Sequence, residues 1–140
     1  MTTAEDLHGD PHVDLYLETN GEEGYYWRNG TEILILFTKG RKSGTERRHA
    51  LIFRHWGQDA FLVVASKGGA EAPPTWFLNL EADPNAEIQV KDQRFAVRAR
   101  VATDAEKPEM WANMAEVWPD YNEYQKKTSR PIPVVVLERA

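Results

Sequence analysis

Five of the ten residues from Lys39 to Arg48 are basic (Lys39, Arg41, Lys42, Arg47 and Arg48), and only Glu46 is acidic. Guanidinium and ammonium groups fork onto phosphate or carboxylate oxygens, and Gly40 and Gly44 permit the tight turns that bring backbone N–H groups to the same anion. The segment reads as an anion-binding loop or as a hairpin tip kept soluble by charge. A second candidate, Ser66-Lys67-Gly68-Gly69, follows an apolar run. Its glycines let a ligand approach the backbone, and the helix expected after it offers unpaired N–H groups. The same residues would also serve as a plain loop, and no full phosphate-loop pattern is present. A third candidate is Trp118, Tyr121 and Tyr124, which recur every three residues, with Trp111 upstream. They form either core packing or a pocket wall, where tyrosine offers a flat apolar face and a hydroxyl.

Other chemistries find no residues to carry them. The chain has no cysteine, which excludes disulfides, thiolate ligands and cysteine nucleophiles. The four histidines (His8, His12, His49, His55) make no metal pattern, since Pro11 interrupts the His8/His12 pair in a tail segment, and no metal is expected. No nucleophile elbow with ordered triad partners occurs. An anion loop and a pocket without a catalytic set point to a cofactor that brings the chemistry. The net charge of -5 argues against a nucleic-acid partner, and a barrel for single strands would need a longer basic groove. No apolar run approaches the roughly 18 residues of a membrane span, and the first ten residues are polar and acidic, so a cytoplasmic address is expected.

The elements that must position these residues follow from periodicity. With 140 residues, 41% apolar and 28% charged, one domain with one real core is expected. Residues 11–19 place Val13, Tyr16 and Leu17 at helical spacing, with Asn20-Gly21 as a stop. Strands are expected at 32–37, 47–56, 60–66, 87–90, 94–102 and 133–138, with turns at Gly57-Gln58-Asp59 and Lys91-Asp92-Gln93. Helices are expected at 75–81, after the glycine- and proline-containing link, and from Thr103, whose spacing to Glu106 is a capping box worth about 1 kcal/mol. Met110, Trp111, Met114, Val117 and Trp118 mark the core face of that last helix, Pro119 interrupts it, and residues 120–127 restart it. Six hairpin-joined strands with three or four helices give an α+β chain whose antiparallel sheet hides its edges by closing into a barrel.

Five motifs in order carry a family resemblance: Thr38-Lys39-Gly40-Arg41-Lys42-Ser43-Gly44, Val64-Ala65-Ser66-Lys67-Gly68-Gly69-Ala70-Glu71, Trp76-Phe77-Leu78-Asn79-Leu80, Trp118-Pro119-Asp120-Tyr121 and Arg130-Pro131-Ile132-Pro133-Val134. Through them the chain resembles the deazaflavin-dependent nitroreductase family of actinobacterial oxidoreductases, over residues 31–137. The resemblance implies a six-stranded antiparallel split β-barrel, flavin-reductase-like, with flanking helices. Residues 1–30 would be a tail with a short helix, and 31–140 the coenzyme-binding barrel. It implies coenzyme F420 as cofactor, with Arg41, Lys42, Ser43 and Arg47 holding its phosphate and glutamyl tail and His49, Ala50 and Leu51 following along it. Val64, Ala65, Ser66 and Lys67 would line the deazaflavin, with Thr75, Trp76 and Phe77 across from them. Trp118, Tyr121 and Tyr124 would form the substrate side.

The implied reaction is hydride transfer from C5 of the reduced deazaflavin to an electron-poor small molecule (a quinone, enone, unsaturated lactone or nitro compound), with a proton from solvent, Ser66 or Tyr121. Family members often carry Asn-Pro at His49-Ala50 and Tyr at Trp118, and both differences bear on substrate choice. A flavin-mononucleotide- or haem-binding split barrel and a non-catalytic coenzyme carrier stand as alternatives. The resemblance leaves open a homodimer and a weak membrane association.

Overall fold

A computed structural model describes residues 9–140. The strands are β1 (Tyr26–Trp27), β2 (Thr31–Lys39), β3 (Glu46–Trp56), β4 (Ala60–Val64), β5 (Asn85–Val90), β6 (Gln93–Val101) and β7 (Val134–Arg139). The helices are α1 (Gly9–Glu18), α2 (Thr75–Ala82), α3 (Lys107–Val117) and α4 (Asp120–Lys126). Every strand pair is antiparallel, in the order β1-β2-β3-β4-β7-β6-β5, and β5 returns to β2 through Ile35↔Gln89, Leu36↔Ile88 and Phe37↔Glu87. Six strands thus close a barrel. The two-residue β1 is an addition that the sequence pattern does not show, because two residues are too few to reveal an alternation.

The continuous apolar runs are explained by burial on both faces. In β4 and β7, Phe61, Val63, Val135 and Leu137 join the core that also holds Ile33 to Phe37, while the alternate residues Leu62, Val64, Val134 and Val136 pack under Met110, Met114 and Trp118. Strand β6 departs from its pattern at one end, where Val101 is exposed although Phe95, Val97 and Ala99 pack on the core. Its partner turn is tighter than expected, since Val90 pairs with Gln93 and the reversal is made by Lys91-Asp92, with Lys91 at φ 56°. The capping box forms in both directions: Thr103 N–H donates to Glu106 Oε1 at 3.0 Å and Glu106 N–H to Thr103 Oγ1 at 3.2 Å. The α-helix nevertheless begins only at Lys107, followed by Pro108, so the box closes a turn that leads into α3. Arg100, with the Thr103 N–H, holds the Glu106 carboxyl down at about 2.

Residues 9–30 enter the barrel's own core through Val13, Tyr16 and Tyr25. Strands β1 and β5 divide one edge of β2, and where that edge changes partner the Tyr16 hydroxyl lies 3.0 Å from Ile33 O and 3.3 Å from Gln89 O, while accepting Lys91 N–H at 2.7 Å. Burial pushes this phenol up to about 12, which keeps it a donor. His12 lies in α1 rather than in a tail: it is 2% exposed, and its Nε2 is 2.7 Å from Gly24 O. His8 lies outside the described residues, and among those described no cluster of metal-ligating side chains occurs.

Candidate functional site

Two adjoining hollows open on one side of the barrel, beneath α1. The first, about 570 Å³, is bordered by the loop that joins β2 to β3 and by β3 itself: Gly40, Arg41, Lys42, Ser43, Arg47, Arg48 and His49. The loop owes its shape to Gly40, where a Cβ would stand 2.8 Å from Ser43 Oγ and 3.2 Å from Thr45 O, and to Gly44, whose N–H bonds Gly40 O at 2.8 Å. The acidic member of the segment, Glu46, also lines the hollow, with its carboxylate paired to Arg94 at 2.9 Å. Lys42, Arg47 and Arg48 are exposed and take part in no ion pair among the described residues. Opposite them, α1 contributes Asp10 and Asp14.

Asn79 of α2 is a site residue that the sequence reading passed over. It is 4% exposed, its Oδ1 accepts Arg41 N–H at 3.2 Å and Arg41 Nη1–H at 3.4 Å, and its Nδ2 donates to Thr38 Oγ1 at 3.1 Å. It thereby anchors the cationic loop to the barrel. A polar residue among Trp76, Phe77 and Leu80 on an apolar helix face was the available signal.

The second hollow, about 470 Å³, is apolar and aromatic, and shares His49 and Thr75 with the first. Ala50, Leu51 and Ile52 of β3 and Val64 of β4 form its floor, Ser66, Lys67 and Gly68 one rim, Pro74 and Trp76 a second, and Trp118, Tyr121 and Tyr124 the far wall. Sequence reasoning missed His12 and Trp27, which close it from the N-terminal side. Trp118 Nε1–H donates to Tyr124 OH at 3.3 Å. The hydroxyls of Ser66 and Tyr121 are not engaged by protein groups among the described residues, although these residues are only 9% and 5% exposed. Burial, with Tyr124 adding to it, raises the Tyr121 phenol well above its ordinary range, so it keeps its proton.

The structure brings together Arg41, Lys42, Ser43 and Arg47 in the first hollow and Ala50, Leu51, Val64, Ser66, Lys67, Trp76, Trp118, Tyr121 and Tyr124 in the second, with His49 and Thr75 in both. Two expected site residues do not reach either hollow. Ala65, the residue after β4, is fully buried in the core in step with the inward-facing Phe61 and Val63, and Phe77 faces a small depression with Leu80, Ala99 and Val135 on the other side of α2. Trp111, expected in the core, is half-buried and donates to Asn122 Oδ1 at 2.7 Å.

The donor set suits a long ligand that is anionic at one end and flat at the other. His49 supports this from within: its Nδ1 is buried without a protein partner among the described residues at the junction of the hollows, and burial, ahead of the opposed influences of Asp10 and Arg47, holds its pKa below the usual histidine value.

Comparison with known proteins bears on the same question. The family model for F420H(2)-dependent quinone reductase matches residues 10–139. An F420H(2)-dependent quinone reductase of Mycobacterium tuberculosis is 40% identical over 131 residues, which are 91% of this chain and 87% of that protein. Among solved structures, an F420-H2 dependent reductase (FDR-A) superposes with a TM-score of 0.69 at 36% identity, over 76% of this chain and 93% of the other. A structure described as a domain-swapped dimer superposes with a TM-score of 0.72 at 32% identity, over 91% and 95% of the two chains.

Proposed function

The chain belongs to the F420H(2)-dependent quinone reductase family, and from that membership we propose that it reduces quinone-type acceptors with coenzyme F420, using the two joined hollows as one extended site. The observation that carries the reading is the shared border at His49 and Thr75, which lets one molecule run from a cationic bay into an aromatic one. Arg41, Lys42, Ser43 and Arg47 hold the phosphate and acidic tail, each charge-assisted contact contributing about 1.5–3 kcal/mol. Val64, Ser66, Lys67, Thr75 and Trp76, with Ala50 and Leu51, would hold the ring in the second hollow. The bound reduced coenzyme supplies hydride from C5.

The protein's own part is placement and proton supply. Trp27, Trp118 and Tyr124 give flat faces to a planar acceptor. Tyr121, kept protonated by burial, and Ser66 offer hydroxyl donors to the oxygen on which charge develops.

Equilibrium dialysis against F420, flavin mononucleotide and haem, followed by loss of reduced-coenzyme absorbance on adding a quinone, tests this reading. F420 binding with quinone-dependent oxidation is expected. Flavin or haem binding without F420 binding would replace it with the split-barrel alternative, and binding without turnover with the carrier.

A cytoplasmic address and a homodimer complete the proposal, the dimer supported by the domain-swapped relative; cell fractionation and sedimentation velocity check them. Among the described residues no helix is long and apolar enough to cross a membrane, and the apolar residues Val13 and Tyr16 of α1 are spent in the barrel core.

A further inference from the structure

The Arg130 guanidinium makes no ion pair among the described residues, and its donors end instead on three carbonyls of one loop. Nε–H meets Ala70 O at 2.8 Å, Nη2–H meets Ser66 O at 2.9 Å and Nη1–H meets Ala65 O at 3.3 Å. Between those carbonyls the chain passes through three consecutive positive-φ residues, Lys67 (45°), Gly68 (63°) and Gly69 (84°). Such a conformation is unfavourable for lysine and persists only where the surroundings impose it. The Arg130 backbone is tied in turn to α4: Gln125 Nε2–H donates to Arg130 O at 2.9 Å, and Ile132 N–H donates to Gln125 Oε1 at 2.9 Å. At the same joint, a Cβ on Gly69 would stand 2.5 Å from Tyr124 O. Arg130 therefore sits between the rim that carries Ser66, Lys67 and Gly68 and the wall that carries Tyr121 and Tyr124.

We propose that Arg130 is a positioning residue for hydride transfer: by clamping residues 65–70 against α4, its guanidinium sets the Ser66 rim and the Tyr121 wall at one fixed separation across the ring-binding hollow. The inference rests on the coenzyme reading given above. A planar fork of donors suits three diverging carbonyls, whereas a lysine ammonium keeps the charge and loses that geometry.

The test compares the parent, Arg130→Lys and Arg130→Ala in binding two compounds: F420, and the same deazaflavin with its ribityl chain but without phosphate and glutamates. Thermal midpoint and steady-state constants are measured alongside. For Arg130→Lys, both affinities should fall roughly tenfold and kcat should fall by a larger factor than acceptor KM rises. Arg130→Ala should regain affinity for both compounds when guanidinium ion is added. Parent-like affinities and kcat in Arg130→Lys would overturn the proposal. So would guanidinium that raises the thermal midpoint of Arg130→Ala without restoring binding, which is the mark of a purely structural role. A parent that binds neither compound would instead sink the coenzyme reading, and the two failures are distinct.

Discussion

The indole of Trp27 stacks on that of Trp118 with ring centroids 5.4 Å apart and planes 25° from parallel, and the Arg28 guanidinium lies 4.8 Å from the Trp27 ring centre. The pair joins the N-terminal segment to the end of α3 over the aromatic hollow. Stacking of this kind contributes about 0.5–1.5 kcal/mol beyond buried area. Trp27→Ala should therefore lower the thermal midpoint and raise KM for a flat quinone more than for a non-aromatic enone, and Trp118→Tyr should alter which acceptors are used. Steady-state constants on both acceptor types decide it; an unchanged KM ratio removes the pair from acceptor recognition.

Lys42→Ala and Arg47→Ala should weaken F420 binding while leaving the thermal midpoint near the parent, because both side chains are exposed and engage no carboxylate among the described residues. Each lost contact corresponds to about 1.5–3 kcal/mol, and the parent's affinity should fall more steeply with salt than the double variant's. Fluorescence titrations at two ionic strengths supply the comparison, and equal slopes would count against phosphate recognition.

Tyr121→Phe keeps the ring packing among Trp111 and Tyr124 and removes only the hydroxyl. Turnover should fall with little change in coenzyme affinity or thermal midpoint. If every acceptor is turned over at the parent rate, the proton comes from Ser66 or water.

Gly69→Ala combines a positive φ of 84° with a Cβ that would meet the Tyr124 carbonyl at 2.5 Å. The backbone cost alone is about 1–3 kcal/mol, and relief of the clash must separate residues 67–69 from α4. Both the thermal midpoint and coenzyme affinity should fall; a variant that melts like the parent would show that the two segments are not rigidly joined.

His49 contributes a pH dependence whose sign is fixed by its lowered pKa. Between that folded value and about 6.5, the unfolded chain binds the proton and the folded chain does not. The folded state is therefore fully favoured above about 6.5 and loses stability as pH falls through the folded pKa. Urea midpoints across this window should slope in the parent and flatten in His49→Gln; parallel slopes would assign the dependence to other groups.

The parts of the site legible in the sequence are those built from density or period. Arg41 to Arg48 stood out as cations in an acidic chain, and Trp118, Tyr121 and Tyr124 as aromatics in step. The strands were legible because β-rich apolar runs alternated with turn residues, even where, as in β7, both faces are buried. His12 and Trp27 were not, since each acts through a contact distant in sequence, His12 with Gly24 and Trp27 with Trp118; Asn79 showed only as a polar residue on an apolar helix face, without its distant partner Arg41. Ala65 and Phe77 pack on the core although their sequence neighbours line the hollow, because successive side chains alternate along an extended chain and rotate around a helix. Arg130 was visible only as part of a motif, since its three acceptors are backbone carbonyls that no side-chain pattern announces.

Strand β7 comes last in sequence yet lies between β4 and β6 in the sheet. During synthesis the ribosome therefore delivers both of its neighbours well before the strand that joins them. Until residues 134–139 emerge, the inner edges of β4 and β6 stay open, with the apolar side chains of Phe61, Leu62, Val63 and Val64 beside one of them. A nascent sheet with two such edges is the kind of species that pairs with the wrong strand. The barrel thus cannot accumulate hairpin by hairpin as it is made, and its closure has to wait for a single late insertion.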